Sequence, residues 1–182
     1  DHLVLATGSH AWENLLVDRV WTYSLGSVWT GVQDCYAALA ADVRDTYGLE
    51  LTTVGSLGIS AMMHGYLAFD ADGELLVPFR TWRNTNTGPA VDALSSALGH
   101  NIPHRWSIAH LYQPVHDDEP HLASVAHLTT LAGNEHWQLT GEQVLGVGDA
   151  SGMFPIDTEA GTYDAAMIAT FDTLVADRGY DW

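Results

Sequence analysis

The chain has 182 residues, 47% hydrophobic and 16% charged, a composition that supports the packed core of about one domain and argues against disorder. Its 23 acidic residues face 6 basic ones, all arginine, and the net charge of −17 argues against nucleic acid or an anionic membrane as partner and makes ATP an awkward ligand for this chain alone. The single cysteine, Cys35, excludes an intrachain disulfide, fits a reducing, cytoplasmic compartment and suits a small core residue better than a nucleophile, and no apolar run approaches the ~20 residues that span a bilayer.

Leu3-Val4-Leu5-Ala6, followed by Gly8, reads as a short strand. Ser27 or Thr30 opens a long helix, with Val28, Val32, Tyr36, Leu39, Val43 and Tyr47 at helical spacing and Gly48 as its stop. Thr52 to Ser60 is β-branched and apolar without a helical stripe, which predicts a buried strand. Asp72-Gly73, between Leu67-Ala68-Phe69 and Leu75-Leu76-Val77, predicts a hairpin. Helices are predicted over 89–98, closed by Gly99, and over 107–113, ending before Pro114. A short helix over 120–125, a strand over 127–131 and a helix over 132–139 closed by Gly141 follow. Val144 to Gly152 reads as a strand entering a glycine-rich bend, Ile156-Asp157 as a strand end, and 164–178 as an amphipathic helix closed by Gly179. Interspersed helices and strands predict an α/β domain with a mixed sheet flanked by helices.

Three stretches join polar residues to glycines at element ends. Gly58-Ile59-Ser60-Ala61-Met62-Met63-His64-Gly65 presents Met63 and His64 before a residue that lets the backbone turn. Thr81-Trp82-Arg83-Asn84-Thr85-Asn86-Thr87 sets an aromatic face beside an arginine and two amides, which suits a polyhydroxylated ligand. Gly146-Val147-Gly148-Asp149-Ala150-Ser151-Gly152 places a carboxylate among glycines, open to close approach. Each also has a plain structural reading: His64 as a satisfied core histidine, Trp82 as a core cap, Asp149 as an Asx-turn residue. The histidines invite a metal reading, but His100 and His104 have Pro103 between them, and the His116-Asp117-Asp118 stretch with His121 reads as a solvated turn, so no metal site is expected. No P-loop, Gly-x-Gly-x-x-Gly turn or Gly-x-Ser-x-Gly elbow is present.

Taken together and in this order, the stretches resemble the FGGY family of carbohydrate kinases, of the xylulokinase-like kind. Gly58-Ile59-Ser60 through Met63-His64-Gly65 is similar to the family's Gly-(Leu/Ile)-Ser…Met-His-Gly segment. Asp70-Ala71-Asp72-Gly73 through Thr87 is similar to its DADGxxLxPxxxWxDxRT stretch, and Leu139-Thr140-Gly141-Glu142 with Asp149-Ala150-Ser151-Gly152 to its LTGE…DASG stretch. The resemblance runs from about Val4 to Trp182, with Asn84 and Asn86 standing where the family usually has an acid and an arginine.

The resemblance implies a ribonuclease-H-like, actin-like fold in which this chain is most of the first, sugar-holding domain. The phosphate hairpin and the ATP domain would lie outside it. It implies Asp149 as catalytic base and Met63, His64, Trp82, Arg83 and, more weakly, Glu13 as sugar-binding residues. It also implies ATP and Mg²⁺, bound mainly by the parts outside this chain, and a ketose such as xylulose as acceptor. A homodimer stays open. So do two rivals, a non-catalytic sugar-binding module on the same fold and a sugar-independent ATPase.

Overall fold

The computed structural model describes residues 3–181, so Trp182, the last residue of the family-like stretch, lies outside them. The architecture is α/β, with helices around three two-stranded antiparallel sheets. These pair β1 (Leu15–Val17) with β2 (Val20–Thr22), β3 (Leu67–Phe69) with β4 (His127–Thr129), and β5 (Ile156–Asp157) with β6 (Thr162–Tyr163). The single mixed sheet expected from sequence is not formed among the described residues. Leu3–Ala6 and Thr52–Ser60 run outside any strand, and Val54, Leu57 and Ile59 are exposed. A β-branched segment becomes a strand only where a neighbour completes its ladder, and neither segment has one here.

The helices follow their end signals. Helix α1 (Leu25–Tyr47) starts earlier than expected because the hydroxyl of Ser24 accepts a bond from the Ser27 N–H at 3.0 Å. Gly48 closes it with φ +65°. Of its expected stripe only Val28 is buried, while Val32, Tyr36 and Tyr47 remain exposed. What lies along this helix is the extended chain. The Tyr47 hydroxyl donates to the Leu5 carbonyl at 2.8 Å and that of Tyr36 to the Leu51 carbonyl at 3.1 Å.

Helix α2 (Gly88–Leu98) carries Pro89 in its first turn and ends at Gly99. Helix α3 (Ser107–Asp117) corrects the expectation of a stop before Pro114, since that proline sits inside it. Proline removes one N–H and crowds the preceding turn, but every residue from Ser107 to Val115 is buried, and that packing carries the helix on to Asp117. A 3₁₀ turn over Pro120–Ser124 follows. Helix α4 (Leu131–Thr140) is capped by Thr130 and closed by Gly141, and α6 (Ala165–Ala176) is capped by Asp164. The strand expected from Val144 is instead irregular chain leading into the single helical turn α5 (Val147–Ala150).

The Asp-Gly turn forms as predicted: one oxygen of Asp70 accepts from the N–H groups of Asp72 and Glu74, and Phe69 bridges to Leu75. The ladder partner of β3, however, is β4, with Leu67 opposite Thr129 and Phe69 opposite His127. Strand β3 divides two cores. Tyr66 and Ala68 face a cluster built on α2, α3 and α6, including Leu94, Ile102 and Phe171. Leu67 and Phe69 face a second cluster with Val28, Phe79 and Leu131. The alternation is the period of two that a strand imposes.

A buried polar network braces the first core. Arg80 donates to Glu119 through both terminal guanidinium nitrogens, at 3.0 Å and 2.5 Å, and lies over the Tyr66 ring at 5.4 Å. The Tyr66 hydroxyl pairs with His121 Nε2 at 2.8 Å, and burial pushes its phenol up. His110 lies nearby with its Nε2 unpartnered among the described residues. Burial, and then the charges of Arg80 and His104, pull His110 down to about 3. His64, His121 and His127 shift the same way, each mainly through burial.

These shifts set a sign for acid stability. The unfolded chain takes up a proton on each such histidine near pH 6.5, while the folded chain does not, so stability falls as pH drops below about 6.5. His110 alone contributes a slope of up to ~1.4 kcal/mol per pH unit between about 6.5 and about 3. Glu135, raised by burial, contributes in the opposite sense, its stability being lost as pH rises past the ordinary glutamate range. Urea midpoints measured from pH 7.5 down to 5 should therefore fall, and His110→Gln should flatten the slope.

Candidate functional site

The first and third glycine stretches meet at Gly152. Its carbonyl accepts from the His64 ring Nδ1 at 3.2 Å and from the Ser107 N–H at 3.4 Å. A Cβ at Gly152 would clash with the Met63 carbonyl and lie 2.6 Å from His64 Nδ1, so only glycine lets the two backbones pass. Gly65, at φ +112°, donates to the Arg105 carbonyl at 3.2 Å and accepts from the Ser107 hydroxyl at 2.6 Å. The first turn of α3 thus joins the Met63-His64 segment to the chain that carries Asp149.

A carbonyl can only accept, so His64 Nδ1 is the protonated nitrogen and Nε2 keeps a lone pair. Burial, with a smaller push from the Arg105 charge, holds His64 below its ordinary value, so the ring is neutral at neutral pH and Nε2 can accept a hydroxyl proton. Asp149 lies within α5, half-buried. Its backbone carbonyl accepts from the Gly152 N–H at 2.9 Å, and its carboxylate makes no hydrogen bond among the described residues. The space beside Gly148 is open.

In the second stretch Asn84 is spent on the fold. It is buried, accepts from the Trp21 N–H at 2.9 Å and donates to the carbonyls of Trp21 and Thr81, each at 2.9 Å. Anchored there, the chain leaves Trp82 and Arg83 exposed. The Arg83 guanidinium lies over the rings of Trp82 at 5.3 Å and Trp21 at 5.7 Å.

Met63, His64 and Trp82 line one cavity of about 490 Å³, together with Arg105, which the sequence motifs do not mark. Asp149 lines a neighbouring cavity of about 530 Å³ with Gly58, Ile59 and Val144. The Gly58–His64 segment borders both. Glu13 stands apart, in a cavity of about 590 Å³ with Trp12, Tyr23 and Ser27. The structure therefore brings Met63, His64 and Trp82 together, ties Asp149 to them through the backbone of Gly152, and leaves Glu13 separate.

Among the described residues no three His, Cys, Asp or Glu side chains converge as a metal site. No described helix is long and apolar enough to cross a membrane. Gly152→Ala should lower stability by about 1–3 kcal/mol through the forced displacement of Met63 and His64, read as a fall in the urea midpoint with loss of the His64 ring N–H signal in proton NMR.

No family model matches the chain, and no curated protein matches it. Solved structures do. The xylulose kinase from Rhodospirillum rubrum superposes with a TM-score of 0.70 at 18% identity, over 91% of this chain and 34% of that one. The xylulose kinase from Bifidobacterium adolescentis gives 0.61 at 14% identity, over 87% and 38%. The gluconate kinase from Lactobacillus acidophilus gives 0.53 at 16% identity, over 74% and 29%. The chain thus has the fold of part of a sugar kinase and spans about a third of the length of these proteins. The resemblance to FGGY sugar kinases drawn from the motifs holds at the level of the fold.

Proposed function

We propose that the protein containing this chain transfers the γ-phosphate of ATP to a hydroxyl of a ketose such as xylulose. In this reading the chain is most of a ribonuclease-H-like sugar domain, in the cytoplasm, and a further domain binds the nucleotide. The observation that carries it is the Gly152 junction, which sets the neutral His64 beside the chain bearing the unpartnered Asp149 carboxylate, on a fold shared with sugar kinases.

Each residue has a physical task. Trp82 offers an apolar face to the sugar ring or chain, Met63 packs beside it, His64 Nε2 accepts from a hydroxyl, and Arg83, over the Trp82 ring, donates to oxygens of the same ligand. Glu13 would contact the sugar only from a separate cavity and is the weakest member of the set. Asp149 accepts the proton of the attacking hydroxyl. An ordinary aspartate is a weak base for a free alcohol, but the proton leaves late, as the oxygen bonds to phosphorus, so position outweighs basicity. In this reading ATP–Mg²⁺ is held mainly by the further domain, since the metal comes with the nucleotide phosphates and the sequence of this chain carries no P-loop turn. The nucleotide therefore enters as substrate, and no step is assigned to residues of this chain acting on it.

Asp149→Asn in the full-length protein should lower kcat about 10²–10⁴-fold with little change in the acceptor KM, measured as ADP release over a panel of ketoses and polyols. Near-normal turnover in that variant would exclude Asp149 as the base.

A further inference from the structure

The cavity lined by Met63, His64 and Trp82 is edged by positive charge in a chain that has little of it. Arg105 lines the cavity directly, and its charge is felt at His64. Arg83 lies over Trp82, the aromatic wall. Among the described residues neither guanidinium has a carboxylate within ion-pair distance, although the chain holds 23 acidic residues against 6 arginines. No acidic side chain lines the cavity, and His64 is neutral. The comparison with Arg80 is direct, for that arginine is closed off by two bonds to Glu119. Among the described residues Arg19 and Arg178 also lack a carboxylate within ion-pair distance, but they sit at the β1–β2 turn and beyond the end of α6, away from any cavity described above.

We infer that the acceptor carries an anionic group, held by Arg105 with Arg83, at the end remote from its reacting hydroxyl. The polarity follows from geometry. Asp149 lines the neighbouring cavity and not this one, so a phosphoryl group in transfer beside Asp149 is not what Arg105 faces. The inference rests on the kinase reading and narrows it from neutral ketoses to ketoses bearing an anionic group. Guanidinium groups match carboxylates and phosphates alike, so the source of the anion is a matter for the assay.

The test compares D-xylulose and D-fructose with 5-keto-D-gluconate and D-fructose 6-phosphate as acceptors for the full-length protein, following ADP release. The keto acid should show kcat/KM at least about tenfold above the neutral ketoses, with a KM that rises with salt. Arg105→Ala should raise the keto-acid KM about tenfold or more, and clearly more than the D-xylulose KM, while Arg105→Lys recovers part of the loss. A preference for the ketose phosphate with the same Arg105 dependence would sustain the anion requirement and assign it to phosphate. Equal or better use of neutral ketoses, or an Arg105→Ala effect that is the same for both classes or falls on the ATP KM, would overturn the inference and leave the kinase reading standing. ADP release with no acceptor of either class would sink both.

Discussion

One carbonyl holds the candidate site together. The Gly152 oxygen accepts from a ring nitrogen of His64 and from the first N–H of α3, so three separate stretches of chain share a single acceptor. Leaving a buried donor unmet costs about 1–3 kcal/mol, and here the same loss would free the His64 tautomer, loosen the start of α3 and release the turn that carries Asp149. Only glycine fits at position 152, where a Cβ would meet the Met63 carbonyl and the His64 ring, and Gly65 takes a positive φ against the Arg80 carbonyl and the Phe79 ring.

Charge is distributed with the same economy. The most buried guanidinium, Arg80, is neutralised by Glu119 and serves the core beneath Tyr66. The exposed guanidiniums of Arg83 and Arg105 gather instead around an aromatic wall and a histidine that burial keeps uncharged. In a chain of net charge −17 this leaves a small region of opposite sign at the cavity shared by Met63, His64 and Trp82.

Local chemistry was the legible part. Gly48, Gly99 and Gly141 mark helix ends, and each adopts the left-handed conformation that glycine permits. The Asp-Gly turn is where its dipeptide put it. Features set by distant partners were harder to read. Pro114 reads as a breaker, yet burial along α3 overrides it. Thr52–Ser60 has strand composition but no ladder, and Asn84 reads as a ligand amide but is bound to Trp21, 63 residues away. In the site, order along the chain was enough to assemble Met63, His64 and Trp82. It could not separate Glu13 from them, and it missed Arg105, whose backbone is fastened to Gly65 by a contact no local motif encodes.

Strand β3 has one more consequence. Its successive side chains enter different cores, Ala68, with the preceding Tyr66, on one side and Leu67 and Phe69 on the other. Melting either core strips one face of a three-residue strand whose ladder with β4 cannot survive on the other face alone. The two clusters therefore behave as one cooperative unit, and amide exchange at β3 reports global opening of the molecule, whereas the extended segments beside α1 exchange through local motion.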